Sequence, residues 1–136
     1  VPGRVELSVD IRDVKMANME SLSQAIMDYA GEIKRVHGVR FDFAEPSVHE
    51  PQQLSGEVAA VIERAAREAG VTSQRMNSGA VHDAQNMARR VKSGMLFVPS
   101  FRGISHAPLE WTNWEDIESG ATVLTGTLKM LSRVSV

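Results

Sequence analysis

The chain has 136 residues, 43% of them hydrophobic, and a formal net charge of −2; that length suits one domain or parts of two, and the apolar content excludes a disordered tail. It has no cysteine, which excludes disulfide scaffolds, cysteine-ligated zinc and thiol catalysis. No basic stripe or long apolar run marks a nucleic-acid or membrane partner, and the residues from Val1 to Val5 do not read as a signal peptide, so the expected location is cytoplasmic.

The first segment, Arg4 to Arg12, alternates strictly: Val5, Leu7, Val9 and Ile11 are apolar, and Arg4, Glu6, Ser8, Asp10 and Arg12 are polar. A period of two predicts a half-buried strand. A helix follows, with Asn18 as its cap and Gly38 at its end. Met19, Leu22, Ile26, Tyr29, Ile33 and Val36 recur every three or four residues and form its apolar stripe. Val39, Phe41 and Phe43 alternate with Arg40 and Asp42, which predicts a second strand. A strand, a helix and a strand within this span make half of a split βαβ sandwich.

Residues 45–53 contain Pro46 and Pro51 and read as a linker where the chain crosses between domains. A second helix is expected from about Ser55 to Ala69, with Val58, Val61, Ile62, Ala65, Ala66 and Ala69 on one face and Gly70 after it. A small-residue stretch around Ser78-Gly79-Ala80 then turns helical through Met87, Ala88 and Val91. Met95 to Val98 is a short all-apolar run, as expected of a strand buried on both faces. A loop from Pro99 to Pro108 follows. Thr112 and Glu115 form a capping box for a last helix, whose stripe is Trp114, Ile117, Ala121, Leu124, Leu128 and Leu131. Alternating helix and strand predict an α/β layer, in which ligands sit beyond the carboxyl ends of the strands.

Four histidines are present. His37 sits at a helix C-terminus, where a cation complements the helix dipole, and His49 sits in the linker; both read as surface residues. His106 lies in the loop that leaves the buried strand. Imidazole is a common metal ligand, yet one histidine is not a site, and a loop histidine bonded to backbone is the competing reading. His82 opens a helix after Ser78-Gly79-Ala80. It either donates a hydrogen bond to a developing oxyanion or sits in a cap beside Asp83. Arg12, on the polar face of the first strand, either grips a carboxylate or pairs with Asp10 or Glu6. Ser78 is no obvious nucleophile, because Gly-x-Ser-x-Gly is absent around it.

Three segments together resemble a known family: Val1-Pro2-Gly3-Arg4 through Ile11-Arg12, then Ser78-Gly79-Ala80-Val81-His82-Asp83-Ala84, then Phe97-Val98-Pro99-Ser100 leading to Gly103-Ile104-Ser105-His106-Ala107-Pro108-Leu109-Glu110. In order and separation they are similar to the C-terminal half of the N-carbamoyl-L-amino-acid hydrolase and allantoate amidohydrolase branch of the aminoacylase and carboxypeptidase superfamily. The resemblance implies an α/β catalytic domain holding two divalent metals, zinc or manganese, with an inserted α+β, ferredoxin-like lid that makes a homo-oligomer. Residues 1–46 would be the second half of that lid, and residues 47–136 the C-terminal part of the catalytic domain. His106 would be a metal ligand. His82 would act on the scissile carbonyl as a catalytic and substrate-binding group, and Arg12 would hold the substrate carboxylate. The implied substrate is a small carbamoyl or ureido compound that bears a carboxylate. The family's His-x-Asp metal motif, bridging carboxylate and general-base glutamate lie upstream of the matched region, so the chain is expected to be a fragment without activity alone. Two alternatives stand beside this one: an inactive dimerisation or binding module with the same fold half, and an aminoacylase-like peptidase. Val81 stands where the family usually has glycine, and Phe101-Arg102 where it has a smaller pair; a positive φ at 81 would strain a valine.

Overall fold

The computed structural model describes residues 2–133. Its two compact units are Val1–Gln52 and Gln53–Val136.

The first unit is organised by one helix, α1 (Met16–His37). Its start is set by Asp13. One carboxylate oxygen of Asp13 accepts the backbone N–H of Lys15 at 2.8 Å and the side-chain amide of Asn18 at 3.0 Å. Asn18 therefore sits inside the first turn as a donor, and does not cap the helix as expected. The helix ends at Gly38, whose left-handed φ of 67° lets its N–H bond the Lys34 carbonyl, a turn that glycine adopts without a Cβ clash. Lys34, Arg35 and His37 occupy the last turn, where cations complement the dipole. Ala30 is buried, and Met19, Ile26 and Ile33 are half-buried, whereas Leu22, Tyr29 and Val36 of the expected stripe are exposed.

The two strands expected on either side of α1 do not form. Residues 4–12 and 39–43 have no strand assignment, and Val5, Leu7 and Val9 are 67%, 82% and 65% exposed. An alternating segment becomes a strand only when a neighbour pairs its backbone and covers its apolar row. Neither occurs here among the described residues. Phe41 and Phe43 do stack on each other, with ring centroids 6.1 Å apart, which puts alternate residues on one side.

The second unit is built on α2 (Gly56–Glu68), packed against α4 (Trp114–Leu131). Between them in sequence stand a short α3 (Asp83–Ala88) and a 3-10 turn at Phe101–Gly103. The Ser55 hydroxyl caps α2 by accepting the Val58 N–H. At the other end Val71 N–H bonds the Ala66 carbonyl at 2.9 Å and Gly70 N–H the Arg67 carbonyl at 3.1 Å. This is a Schellman turn, with Gly70 at φ 69° and Val71 packed back on the core. The core is Ala65 and Ala66 from α2 with Val123 from α4, joined by half-buried Ile62, Val71, Leu96 and Met130.

The expected stripe of α4 is not its buried face. Val123 and Thr127 are buried, while Trp114, Leu124 and Leu128 are 72%, 50% and 59% exposed. Small residues decide this. A Cβ added at Gly126 would stand 3.3 Å from the Ala65 Cβ, so the glycine lets the two helices approach closely. The buried Thr127 hydroxyl is satisfied by donating to the Val123 carbonyl at 2.8 Å. The capping residue also differs: Asn113, with no side-chain cap bond, precedes the helix in place of Thr112.

The segment from Ser93 to Val98 crosses over both helices. Ser55 N–H bonds the Ser93 carbonyl at 2.9 Å. A Cβ at Gly94 would meet Val58 Cγ1 at 2.6 Å, and one at Gly120 would meet Val98 Cγ1 at 2.5 Å. The expected strand buried on both faces is thus an unpaired crossing segment covered on one side. Leu96 lies against the core, and Phe97 is half exposed. The described residues carry helices and no strand, so the α/β alternation is realised only in its helical half. No helix among them is long and apolar enough to cross a membrane.

Two outcomes are expected. Gly126→Val forces a branched side chain into the α2–α4 contact and should lower unfolding stability by about 1–3 kcal/mol, read as a lower urea midpoint. Asp13 has its carboxyl held below the usual carboxylate range, first by the Lys15 N–H and then by Asn18. A depressed folded pKa contributes stability above the unfolded carboxylate pKa, and that stability is lost as pH falls through the folded value. Circular dichroism should therefore show α1 helicity falling with acid in the native chain, and a lower, flatter helicity profile in Asp13→Ala.

Candidate functional site

His82 is the best-held of the residues singled out above. It is half-buried and immediately precedes α3. The chain reaches it through residues 72–80, which are tied to α2 by Arg75. The Arg75 guanidinium grips Glu63 with bonds of 2.7 and 3.0 Å and holds its carboxyl below the usual range. The Ser78 Oγ then stands 2.8 Å from His82 Nε2, and accepts the Ala80 N–H at 3.2 Å. The His82 N–H donates to the Gln85 side-chain carbonyl at 3.3 Å, the backbone half of a capping box. The ring itself meets the edge of Phe97, with centroids 5.5 Å apart and planes at 60°. Leu96 and Val98 approach Gly120 of α4, so alternation along the crossing segment turns Phe97 toward His82.

Val81 is exposed and is not in the left-handed region. Among the described non-glycine residues, that conformation belongs to Arg102 at φ 54° and His106 at φ 56°. The expected strain therefore falls elsewhere, in the loop that carries His106. That loop is closed at its base by the Phe101 N–H on the Trp111 carbonyl at 2.7 Å. The Ser100 hydroxyl donates to the Ile104 carbonyl across the 3-10 turn, and the Arg102 guanidinium lies 5.3 Å from the centre of the Phe101 ring, a cation–π distance. His106 is exposed, and its backbone N–H donates to the Glu110 carboxylate at 2.7 Å. Left-handed backbone at a non-glycine residue costs about 1–3 kcal/mol and tends to mark functional positions.

Arg12 belongs to the other unit. Its guanidinium bonds Asp10, with Nε 3.0 Å from each carboxylate oxygen, and that pairing holds the Asp10 carboxyl low and raises the arginine. Both partners are exposed, so the pair is worth little to stability.

Sequence reasoning missed two supporting groups. Ser78 carries no nucleophile motif, and Glu110 none of its own within the loop match. Their signal lies in spacing: each stands four residues from its histidine. A divalent ion needs three or four protein ligands, and no three His, Cys, Asp or Glu side chains among the described residues come together to hold one. The described residues therefore do not by themselves make a complete metal site.

A family model described as Peptidase family M20/M25/M40 matches residues 5–130. The chain belongs to this family. Among curated M20 relatives, it is 34% identical over 133 residues to an N-carbamoyl-L-amino-acid amidohydrolase of Paenarthrobacter aurescens, covering 98% of this chain and 32% of the relative. It is 36% identical over 132 residues to an allantoate amidohydrolase of Bacillus subtilis (strain 168), covering 97% and 32%. A solved structure, a hydantoinase/carbamoylase family amidase from Burkholderia vietnamiensis, aligns with a TM-score of 0.75 at 30% identity, over 88% of this chain and 29% of that one. This M20 chain thus spans about a third of the length of the relatives it matches.

One outcome follows from the ligand geometry. Calorimetric titration of the 136-residue chain with Zn²⁺ or Mn²⁺ should show no tight site, and His106→Ala should leave the weak residual binding of the chain nearly unchanged. A tight, stoichiometric site abolished by that substitution would contradict the geometry.

Proposed function

We propose that this chain is the C-terminal part of a metal-dependent amidohydrolase that cleaves linear amide or ureido C–N bonds in N-carbamoyl amino acids or allantoate. The observation that carries the reading is the fixed imidazole of His82, held by Ser78, Gln85 and Phe97 in a chain whose named relatives act on such compounds. Residues 1–46 are assigned to the second half of a lid and dimerisation domain, and residues 47–136 to the C-terminal part of the catalytic domain. The exposed apolar row Val5, Leu7 and Val9 fits a lid surface that is covered in a homo-oligomer. The proposed location is cytoplasmic.

In this reading His82 donates an N–H to the scissile carbonyl oxygen. Charge grows on that oxygen as the tetrahedral intermediate forms, so a preset donor lowers the barrier more than it tightens substrate binding. Arg12 exchanges Asp10 for the substrate carboxylate, because its planar fork matches a carboxylate in two parallel bonds. His106 is the imidazole this chain would contribute to a divalent ion, zinc or manganese, of a complete enzyme; the ion would polarise the carbonyl and activate water.

The test is ammonia release from N-carbamoyl amino acids and allantoate with Mn²⁺ or Zn²⁺. The 136-residue chain should give none. A longer protein that carries this chain with its upstream catalytic segment should turn these substrates over, and His82→Ala there should lower kcat by about 100- to 1000-fold. Turnover by the short chain, lost in His106→Ala, would refute the fragment reading. An extended protein indifferent to His82→Ala would remove His82 from the mechanism.

A further inference from the structure

The contacts around His82 divide into two kinds. Phe97 meets the ring through an edge-to-face contact, with centroids 5.5 Å apart and planes at 60°. Such a contact restricts the plane of the imidazole, but it does not distinguish a ring nitrogen from a ring carbon. Rotating the ring by half a turn about its Cβ–Cγ bond keeps the plane and exchanges Nε2 with Cε1 and Nδ1 with Cδ2. Only a polar partner separates those two orientations. Ser78 Oγ, 2.8 Å from Nε2, is that partner, since the Gln85 N–H that also lies against the ring is taken by the His82 carbonyl at 2.9 Å.

The serine is fixed independently of the histidine. Its Oγ accepts the Ala80 N–H at 3.2 Å, a local turn that places the hydroxyl whether or not the imidazole is present. The preceding segment is anchored to α2 by the paired bonds between Arg75 and Glu63. The His82 backbone is held by Gln85. One side of the hydrogen bond is thus set by the turn and the other by the start of α3.

We propose that Ser78 is a positioning residue for His82: its hydroxyl selects one of two ring orientations and one neutral tautomer, and so decides which nitrogen presents a proton to a ligand oxygen. This rests on the reading of His82 as the carbonyl-polarising group. The hydroxyl oxygen already accepts the Ala80 N–H, so its own proton goes to Nε2 and the ring proton of the neutral imidazole sits on Nδ1, the nitrogen left to face a ligand oxygen. A neutral imidazole released from that bond samples both orientations and both tautomers, and only a fraction of the population then presents a correctly placed donor.

The experiment is ring ¹⁵N spectroscopy of His82 in the 136-residue chain, above the titration range of the imidazole, for the native chain, Ser78→Ala and Ser78→Thr. Amide resonances of Ala65, Ala66 and Val123 report that the α2–α4 core is intact in each. The native chain and Ser78→Thr should show two well-separated nitrogen shifts, one protonated and one not. Ser78→Ala should move both toward a common averaged value. Native-like ring shifts in a folded Ser78→Ala would overturn the proposal, as would averaged shifts in the native chain or in a folded Ser78→Thr. The readout needs no turnover. Unmoved ring shifts beside an activity that depends on His82 would sink this inference alone, and moved shifts beside an extended protein indifferent to His82 would sink the functional reading alone.

Discussion

The close approach of α2 and α4 is the constraint on which the second unit depends. It exists because Gly126 has no side chain where Ala65 needs room, and because Ala65, Ala66 and Val123 are small enough to fill the remaining space. Two helices that meet through small residues bury little area per residue, but their backbones come near enough for the contact to tolerate few alternatives. The crossing segment at 93–98 is fixed to this pair, seated by two more glycines, Gly94 over α2 and Gly120 on α4. Added methyl groups at these positions would strike Val58 and Val98.

That seating reaches the site through one alternation. Because Leu96 and Val98 face the helices, Phe97 faces away and meets the His82 ring. A second route, from Glu63 through Arg75 to Ser78, brings a hydroxyl to the same imidazole. The histidine is therefore held from the core on one side and from a turn on the other. His106 is different: its strain is local to its loop and is stabilised by Glu110 and the closure between Phe101 and Trp111. The first histidine is positioned by packing and hydrogen bonds, the second by backbone conformation.

The first unit shows the reverse condition. Its helix has a carboxylate at one end and a glycine at the other, yet the flanking alternating segments leave Val5, Leu7, Val9 and Phe43 to solvent. A helix satisfies its backbone within itself, whereas a strand depends on a neighbour. This difference explains why α1 forms while the strand-patterned segments carry no ladder among the described residues.

Local chemistry was legible in the residues themselves. The ends of α1 and α2 at Gly38 and Gly70 and the apolar face of α2 follow from residue type and spacing. Those signals act within one or two helical turns, so a linear reading captures them. Tertiary structure decided what depends on a partner. It chose the Val123 and Thr127 face of α4 over the larger apolar stripe, because close approach to α2 rewards small residues and hydropathy alone does not register size. It denied the strand-patterned segments their ladders. It also brought Ser78 to His82 and Glu110 to His106, because a loop residue four positions away reaches a side chain only when the intervening backbone turns, and the turn at Ala80 and the left-handed backbone at His106 supply that geometry.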